Sequence, residues 1–243
     1  MTVVYGIVPA ETPLDGVPSG IGGAPVGRVV SGGLAALVSP IEGEDLRATR
    51  RDLMSHSAVL EHAVAAGPVL PLRFGIVLRD EEAVAEELLE ARHDELRTLL
   101  ERFERVVELR VKAFYVEEAV LREIVRSDPA IARLNEATRG LPEASLHPQR
   151  IRLGEAVARA LEARRENDTR GILARLRPLA EEVVVEESDA GRAFTASFLV
   201  DRDRVEAFDR AMDELARAHE GFITFKYLGP LAPHSFVSFR EDV

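Results

Sequence analysis

The sequence predicts an α+β protein of two domains, and three observations carry that prediction. Short runs of β-branched and aromatic residues alternate with stretches of helical periodicity along the whole chain. At 243 residues the chain is long enough for two ordinary cores that need neither metal nor disulfide. From residue 106 onward the predicted elements run strand, helices, strand, strand, helix, strand, which is the split β-α-β order with an enlarged first crossover. An N-terminal α+β domain is therefore expected over residues 1–104 and a modified ferredoxin-like domain over 105–243.

Each element has its own signal. Residues 2–8 are rich in valine, isoleucine and tyrosine and stop at Pro9, which reads as a strand. A stretch crowded with Gly and Pro follows over 11–33, and candidate strands at 28–30 and 34–38 form a hairpin around Gly32 and Gly33. Leu46, Leu53, Leu60 and Val64 keep helical spacing from near Asp45 until Gly67 and Pro68 end the helix. The apolar run VLPLRFGIVL at 69–78 holds Pro71, Arg73 and Gly75, so a strand with a kink or bulge is expected there. Asp80 then caps a helix whose buried stripe falls at Val84, Leu88, Leu96, Leu99 and Phe103.

The second domain opens with a half-buried strand at 106–115, with Val107, Leu109, Val111 and Ala113 inward and Glu108, Arg110 and Lys112 outward. Two short helices flank Asp128 and Pro129, and a loop over 140–148 leads into a long helix from about Gln149 to Ala180. Its narrow stripe of Val157, Leu161, Ile172, Leu176 and Leu179, weakened at Gly171, suits a helical hairpin or short coiled coil, so the helical insertion spans about 117–180. Strands at 182–187 and 193–200, a helix at 202–218 with Val205, Phe208, Met212 and Leu215 on one face, and a strand at 222–228 complete the domain. A tail follows at 229–243.

Composition excludes several kinds of chemistry. There is no cysteine, which removes disulfides, thiolate metal sites and thiol nucleophiles. A formal net charge of −11 argues against nucleic-acid binding, which needs concentrated Lys and Arg. The arginines are interspersed with glutamates, the pattern of solvated helix faces. The N-terminus has no basic start, and no run approaches the roughly 20 apolar residues of a membrane span. A cytoplasmic protein with no membrane partner is expected.

Six histidines, at 56, 62, 93, 147, 219 and 234, show no metal-ligand spacing. Ser31 and Ser235 sit beside turn residues and not in a GxSxG elbow, and the glycines of 16–33 lack the GK[ST] ending of a phosphate loop. Paired carboxylates such as Glu81 with Glu82 read as solvated helix faces. No catalytic residue, metal or cofactor is expected.

Two segments go further. In residues 49–77 the pair Arg50-Arg51, the sequence His56-x-x-Val59-Leu60-Glu61 and the run Leu70-Pro71-Leu72-Arg73-Phe74-Gly75 stand in order. Near the C-terminus, Lys226-Tyr227-Leu228-Gly229-Pro230-Leu231-Ala232-Pro233-His234-Ser235-Phe236 resembles a Y-x-G-P-x-P-Y-S-F pattern, with Ala232 in place of a common Pro and His234 in place of the usual Tyr. With the opening Val4-Tyr5-Gly6-Ile7, these segments resemble the gas vesicle protein F/L family along nearly the whole chain. The resemblance implies a non-enzymatic part in gas vesicle assembly, located with the vesicle. It also implies a very hydrophobic shell subunit and other gas vesicle proteins as partners.

Within these motifs, Arg50, His56, Glu61, Pro71, Gly75 and Gly229 read as structural, and Arg73, Phe74, Tyr227, Pro230, Leu231, Pro233 and Phe236 as candidate partner-binding residues. LPLRFG is either a bulged core strand with Arg73 paired to Glu61 or Glu86, or a bulge that offers Arg73 and Phe74 to the shell subunit. The prolines of the C-terminal segment forbid regular pairing, leaving an anchor through Leu231 and Phe236 or an extended docking strip. The alternative function is a small-ligand-binding regulatory module, by analogy with other ferredoxin-like domains.

Overall fold

β1 (Thr2–Pro9) is buried over nearly its whole length and forms the centre of the first sheet. β2 (Gly27–Ser31) and β3 (Leu34–Pro40) lie to one side, and β4 (Leu70–Pro71) and β5 (Val77–Leu78) pair with β1 on the other. The hairpin between β2 and β3 closes at the expected place, with Ser31 opposite Leu34 and positive φ at Gly32 and Gly33. Against β3, β1 bulges at Tyr5, because Val4 pairs with Val38 but Gly6 with Leu37. The computed structural model describes residues 1–42, 48–138, 143–186 and 192–237.

The kinked strand expected at 69–78 is realised as two short strands on one edge of β1. Gly6 and Ile7 pair with Pro71 and Leu70, and Thr2 and Val3 with Leu78 and Val77, so residues 72–76 stand opposite Val4 and Tyr5 alone. Main-chain bonds from Leu72 to Tyr5 and from Val4 to Ile76, both 2.9 Å, hold the two sides of this excursion. Arg73, Phe74 and Gly75 make its outer turn, and the φ of +97° at Gly75 is the left-handed conformation that favours glycine.

Thr49 caps α1 (Arg50–Ala66), its hydroxyl accepting from the Asp52 N–H at 3.2 Å. The expected start near Asp45 lies outside the described residues. The buried face is His56, Val59, Leu60, Ala63 and Val64, whereas Leu53, expected in the stripe, is exposed. Periodicity marks which face is apolar, not how far along the helix that face is covered. At the C-terminal end of α1 the Arg202 guanidinium donates to the carbonyls of Val64 and Gly67 at 2.9 and 3.1 Å, satisfying acceptors that a helix end leaves open.

Asp80 caps α2 (Glu81–Ala83) as expected, accepting from Ala83 N at 2.8 Å. The helix then departs from regularity. A π-helical stretch over Val84–Glu90 ends with Ala91 donating to the Glu86 carbonyl five residues back, and α3 (His93–Arg102) follows. Val84, Leu96 and Phe103 of the expected stripe are buried, but Leu88 and Leu99 are only half-buried and their neighbours Leu89 and Leu100 are buried instead.

The second sheet contains β6 (Val106–Tyr115), β7 (Glu182–Glu186), β8 (Arg192–Asp201) and β9 (Ile223–Leu231) in the order β7-β8-β6-β9. α4 (Glu117–Ser127) and α5 (Pro129–Thr138) flank Asp128, whose carboxylate accepts from Ala130 N at 2.8 Å. α6 (Glu143–Leu176) begins before the expected Gln149 and carries Pro148 in its second turn, so the described part of the expected loop is helical. Pro148 has no N–H, so one main-chain bond of this 34-residue helix is lost there. Val120, Ile124 and Ile131 form a core cluster with Leu153, Val157 and Leu161 of α6 packed on it. α7 (Val205–Ala218) buries Phe208, Met212 and Leu215.

Two further expectations are corrected. Glu108, expected outward on β6, is fully buried. β9 runs past Leu228 through Pro230 to Leu231, although proline was expected to end pairing; β9 is an edge strand, where a missing N–H can face away from the ladder. The chain divides into a first unit of Met1–Leu109, Phe198–Asp203 and Leu228–Val243, and a second of Arg110–Ser197 and Arg204–Tyr227. These boundaries fall inside β6, β8 and β9, so they differ from a single cut between residues 104 and 105. No helix of the described residues is long and apolar enough to cross a membrane.

Candidate docking site

In the first unit, residues from three motif segments meet around one ring. Tyr5 comes from the bulge in β1, His56 from the buried face of α1, and Phe74 from the 72–76 excursion. The His56 ring lies 5.4 Å from that of Tyr5 and 5.7 Å, edge-on, from that of Phe74. Tyr5 is fully buried and its hydroxyl accepts from the Ile21 N–H at 2.9 Å. A Cβ at Gly20 would collide with that hydroxyl, which explains a glycine at that position. His56 Nε2 is buried without a hydrogen-bond partner. Burial, then the charge of His234, lowers the His56 pKa to about 4, so the ring is neutral near pH 7.

This packing fixes the base of the excursion and leaves its tip in solvent. Arg73 is exposed, Phe74 half-buried and Ile76 exposed. Among the described residues Arg73 makes no ion pair, so the expected partners Glu61 and Glu86 do not hold it. Glu61 itself points to solvent from α1, as does Arg50 at its start. The early turns of α1 add exposed Leu53 and Met54. Pro71 is buried in β4.

The C-terminal motif is divided by the strand exit. Tyr227 stacks on Phe208 and donates to Asp209 at 2.6 Å, and burial followed by that bond pushes its pKa up. Gly229 approaches β6 so closely that a Cβ would stand 2.5 Å from a Leu109 methyl. Pro230 is exposed and Leu231 half-buried, whereas Ala232, Pro233 and Phe236 are buried. Phe236 joins the core cluster of Val4, Leu70 and Leu199. Ser235 donates to the buried Glu108 carboxylate twice, from its N–H at 2.8 Å and its hydroxyl at 2.9 Å. Sequence reasoning missed Glu108 because alternation placed it outward; the covering segment arrives from 127 residues away.

The second unit holds a charged network and a cleft. Asp168 accepts from the Tyr115 hydroxyl at 2.9 Å and from Arg164 Nε at 2.7 Å, and Arg164 also faces Glu123 at 3.4 Å. Burial and then the Asp168 bond raise the Tyr115 pKa. A cleft of about 480 Å³ beside this network is lined by Phe114, Tyr115, Val120, Leu121, Leu161 and Arg165. Among the described residues no group of three or more His, Asp or Glu is placed to hold a metal.

The mixed two-sheet fold and the motif segments mark a gas vesicle protein, and the comparisons bear this out. The chain belongs to the family described as gas vesicle synthesis protein GvpL/GvpF, whose model matches residues 1–238. Gas vesicle protein F of Streptomyces sp. (strain CB03234) is 39% identical over 241 residues, covering 97% of this chain and 99% of the relative. The crystal structure of GvpF from Anabaena sp. PCC7120 superposes with a TM-score of 0.83 at 26% identity and covers 98% of both chains. GvpF from Microcystis aeruginosa shares the fold, with a TM-score of 0.78 at 24% identity over 98% of this chain and 99% of that one.

Proposed function

We propose that this chain is a non-catalytic assembly protein that binds the shell subunit of the gas vesicle during vesicle formation. The observation that carries the reading is the 72–76 excursion, in which Arg73 and Ile76 are exposed and the half-buried Phe74 packs on the buried His56 next to Tyr5; Leu53 and Met54 of α1 are exposed as well. Exposed apolar side chains together with a cation suit contact with a very hydrophobic partner. Pro71 and Gly75 shape the excursion, and Phe236 serves as an anchor, which leaves Pro230 and Leu231 as the accessible part of the C-terminal motif. The cytoplasm and the vesicle are its place of action, and other gas vesicle proteins are further partners.

The order β7-β8-β6-β9 supports a ferredoxin-like reading of the second sheet, with α4, α5 and α6 as the enlarged first crossover and α7 as the second. Two domains, the second beginning near residue 105, remain the organisation we favour.

Co-purification with the shell subunit tests the function. Wild type should retain the subunit, and Arg73→Glu combined with Ile76→Asp should lose most of it at unchanged melting temperature, since both side chains are exposed. Full retention by that variant would move the docking surface elsewhere. The apolar cleft beside Tyr115 favours the second reading, a small-ligand module. A metabolite that raises the melting temperature would support it.

A further inference from the structure

The two outer strands of the second sheet are built differently. β9 carries Lys226 and Pro230, residues with which natural sheets blunt an edge. β7 reads EVVVE and has neither, and its Val184 and Val185 are 39% and 44% exposed. An outer strand presents a row of N–H and C=O groups away from its neighbour. Alongside β7 runs an open groove of about 650 Å³, lined by Val185, Ala193 and Phe194 on the sheet and by Thr169, Arg170 and Leu173 on α6.

The geometry points to β7 as the acceptor of one extended segment from a partner protein, apolar at its centre and basic at its ends, which adds a fifth strand to the sheet. Main-chain bonds along β7 supply affinity, and the groove receives the side chains that alternate toward α6. Charge selects the occupant. Glu181 stands just before β7 and Glu186 ends it, both exposed, so a segment with Lys or Arg at its ends is attracted by opposite charge there. A second copy of this chain is disfavoured, because antiparallel pairing about Val184 sets Glu182 against the copy's Glu186. The surface belongs to the second unit and does not rest on the α1 and 72–76 face.

The test uses the full chain and two fluorescein-labelled peptides of about ten residues, alternating valine and threonine, one ended by lysine pairs and one by glutamate pairs. Fluorescence anisotropy should show the lysine-ended peptide binding, and the glutamate-ended one binding at least about tenfold more weakly. Val185→Lys should weaken the lysine-ended peptide by about tenfold while the melting temperature stays constant, since Val185 is exposed. Equal affinity for both peptides, or no binding of either, overturns the inference on wild type alone. Undiminished binding by Val185→Lys overturns it too, as does a dimer that this substitution dissolves. Shell-subunit retention by Val185→Lys is read separately, so failure here and failure of the α1 face remain distinguishable.

Discussion

His56 shows how a single buried group links the fold to solution conditions. Its ring is neutral in the fold, with a pKa of about 4 against 6.5 when solvated. Between those values the unfolded chain binds the proton more readily, so this residue's contribution is complete above pH 6.5 and is lost as pH falls toward 4. The full difference is on the order of 3 kcal/mol, of which about 2 kcal/mol is gone at about pH 5. Urea unfolding should therefore show lower stability at about pH 5 than at about pH 7, and His56→Phe should flatten that dependence while keeping the ring contacts with Tyr5 and Phe74. An unchanged slope in the variant would mean that His56 is not the titrating group. The motif contained His56, Tyr5 and Phe74, but their meeting was not legible, because the bulge at Tyr5 and the excursion at 72–76 bring them together.

At the scale of elements, the C-terminal segment is joined to β6 by a buried carboxylate. Ser235→Ala removes the hydroxyl bond to Glu108 and should cost about 1.5 kcal/mol, whereas Glu108→Ala removes the acceptor of both Ser235 bonds and opens a cavity, at about 3 kcal/mol. Chemical denaturation of both variants gives the order, and Ser235→Ala costing more than Glu108→Ala would refute this account. Phe236→Ala should lose about 3–5 kcal/mol, since the ring sits in the same cluster as Val4 and Leu70. The π-helical stretch in 84–90 teaches a related lesson. Apolar spacing gave the right face, with Val84, Leu96 and Phe103 buried as expected, but at Leu88 and Leu99 the next residue is the one covered, since the wide turn departs from regular helical spacing.

For the whole molecule, a net charge of −11 and a family fold shared over nearly the entire chain set the frame in which partner binding is read. Truncation after Leu228 is a poor probe of docking, because it removes Phe236 from the core and strips Glu108 of its Ser235 bonds. Surface substitutions separate stability from binding. Met54→Asp, at a side chain 62% exposed, should leave the thermal midpoint unchanged and reduce shell-subunit co-purification. Retained co-purification would place Met54 outside the docking face.

By itself the sequence determined the alternation of strands and helices, the Gly32-Gly33 hairpin, the Asp80 cap, the lack of thiol chemistry and the resemblance that the family match later carried. These follow from local rules: turn chemistry, capping and periodicity act within a few residues. Only the tertiary structure decided that Glu108 is buried, that Arg202 closes α1, that β9 passes through Pro230, and that Tyr5, His56 and Phe74 share one cluster. Each of these depends on a segment distant in sequence arriving to cover, pair or exclude water. Burial and partnership are properties of that arrival, and no local pattern encodes them.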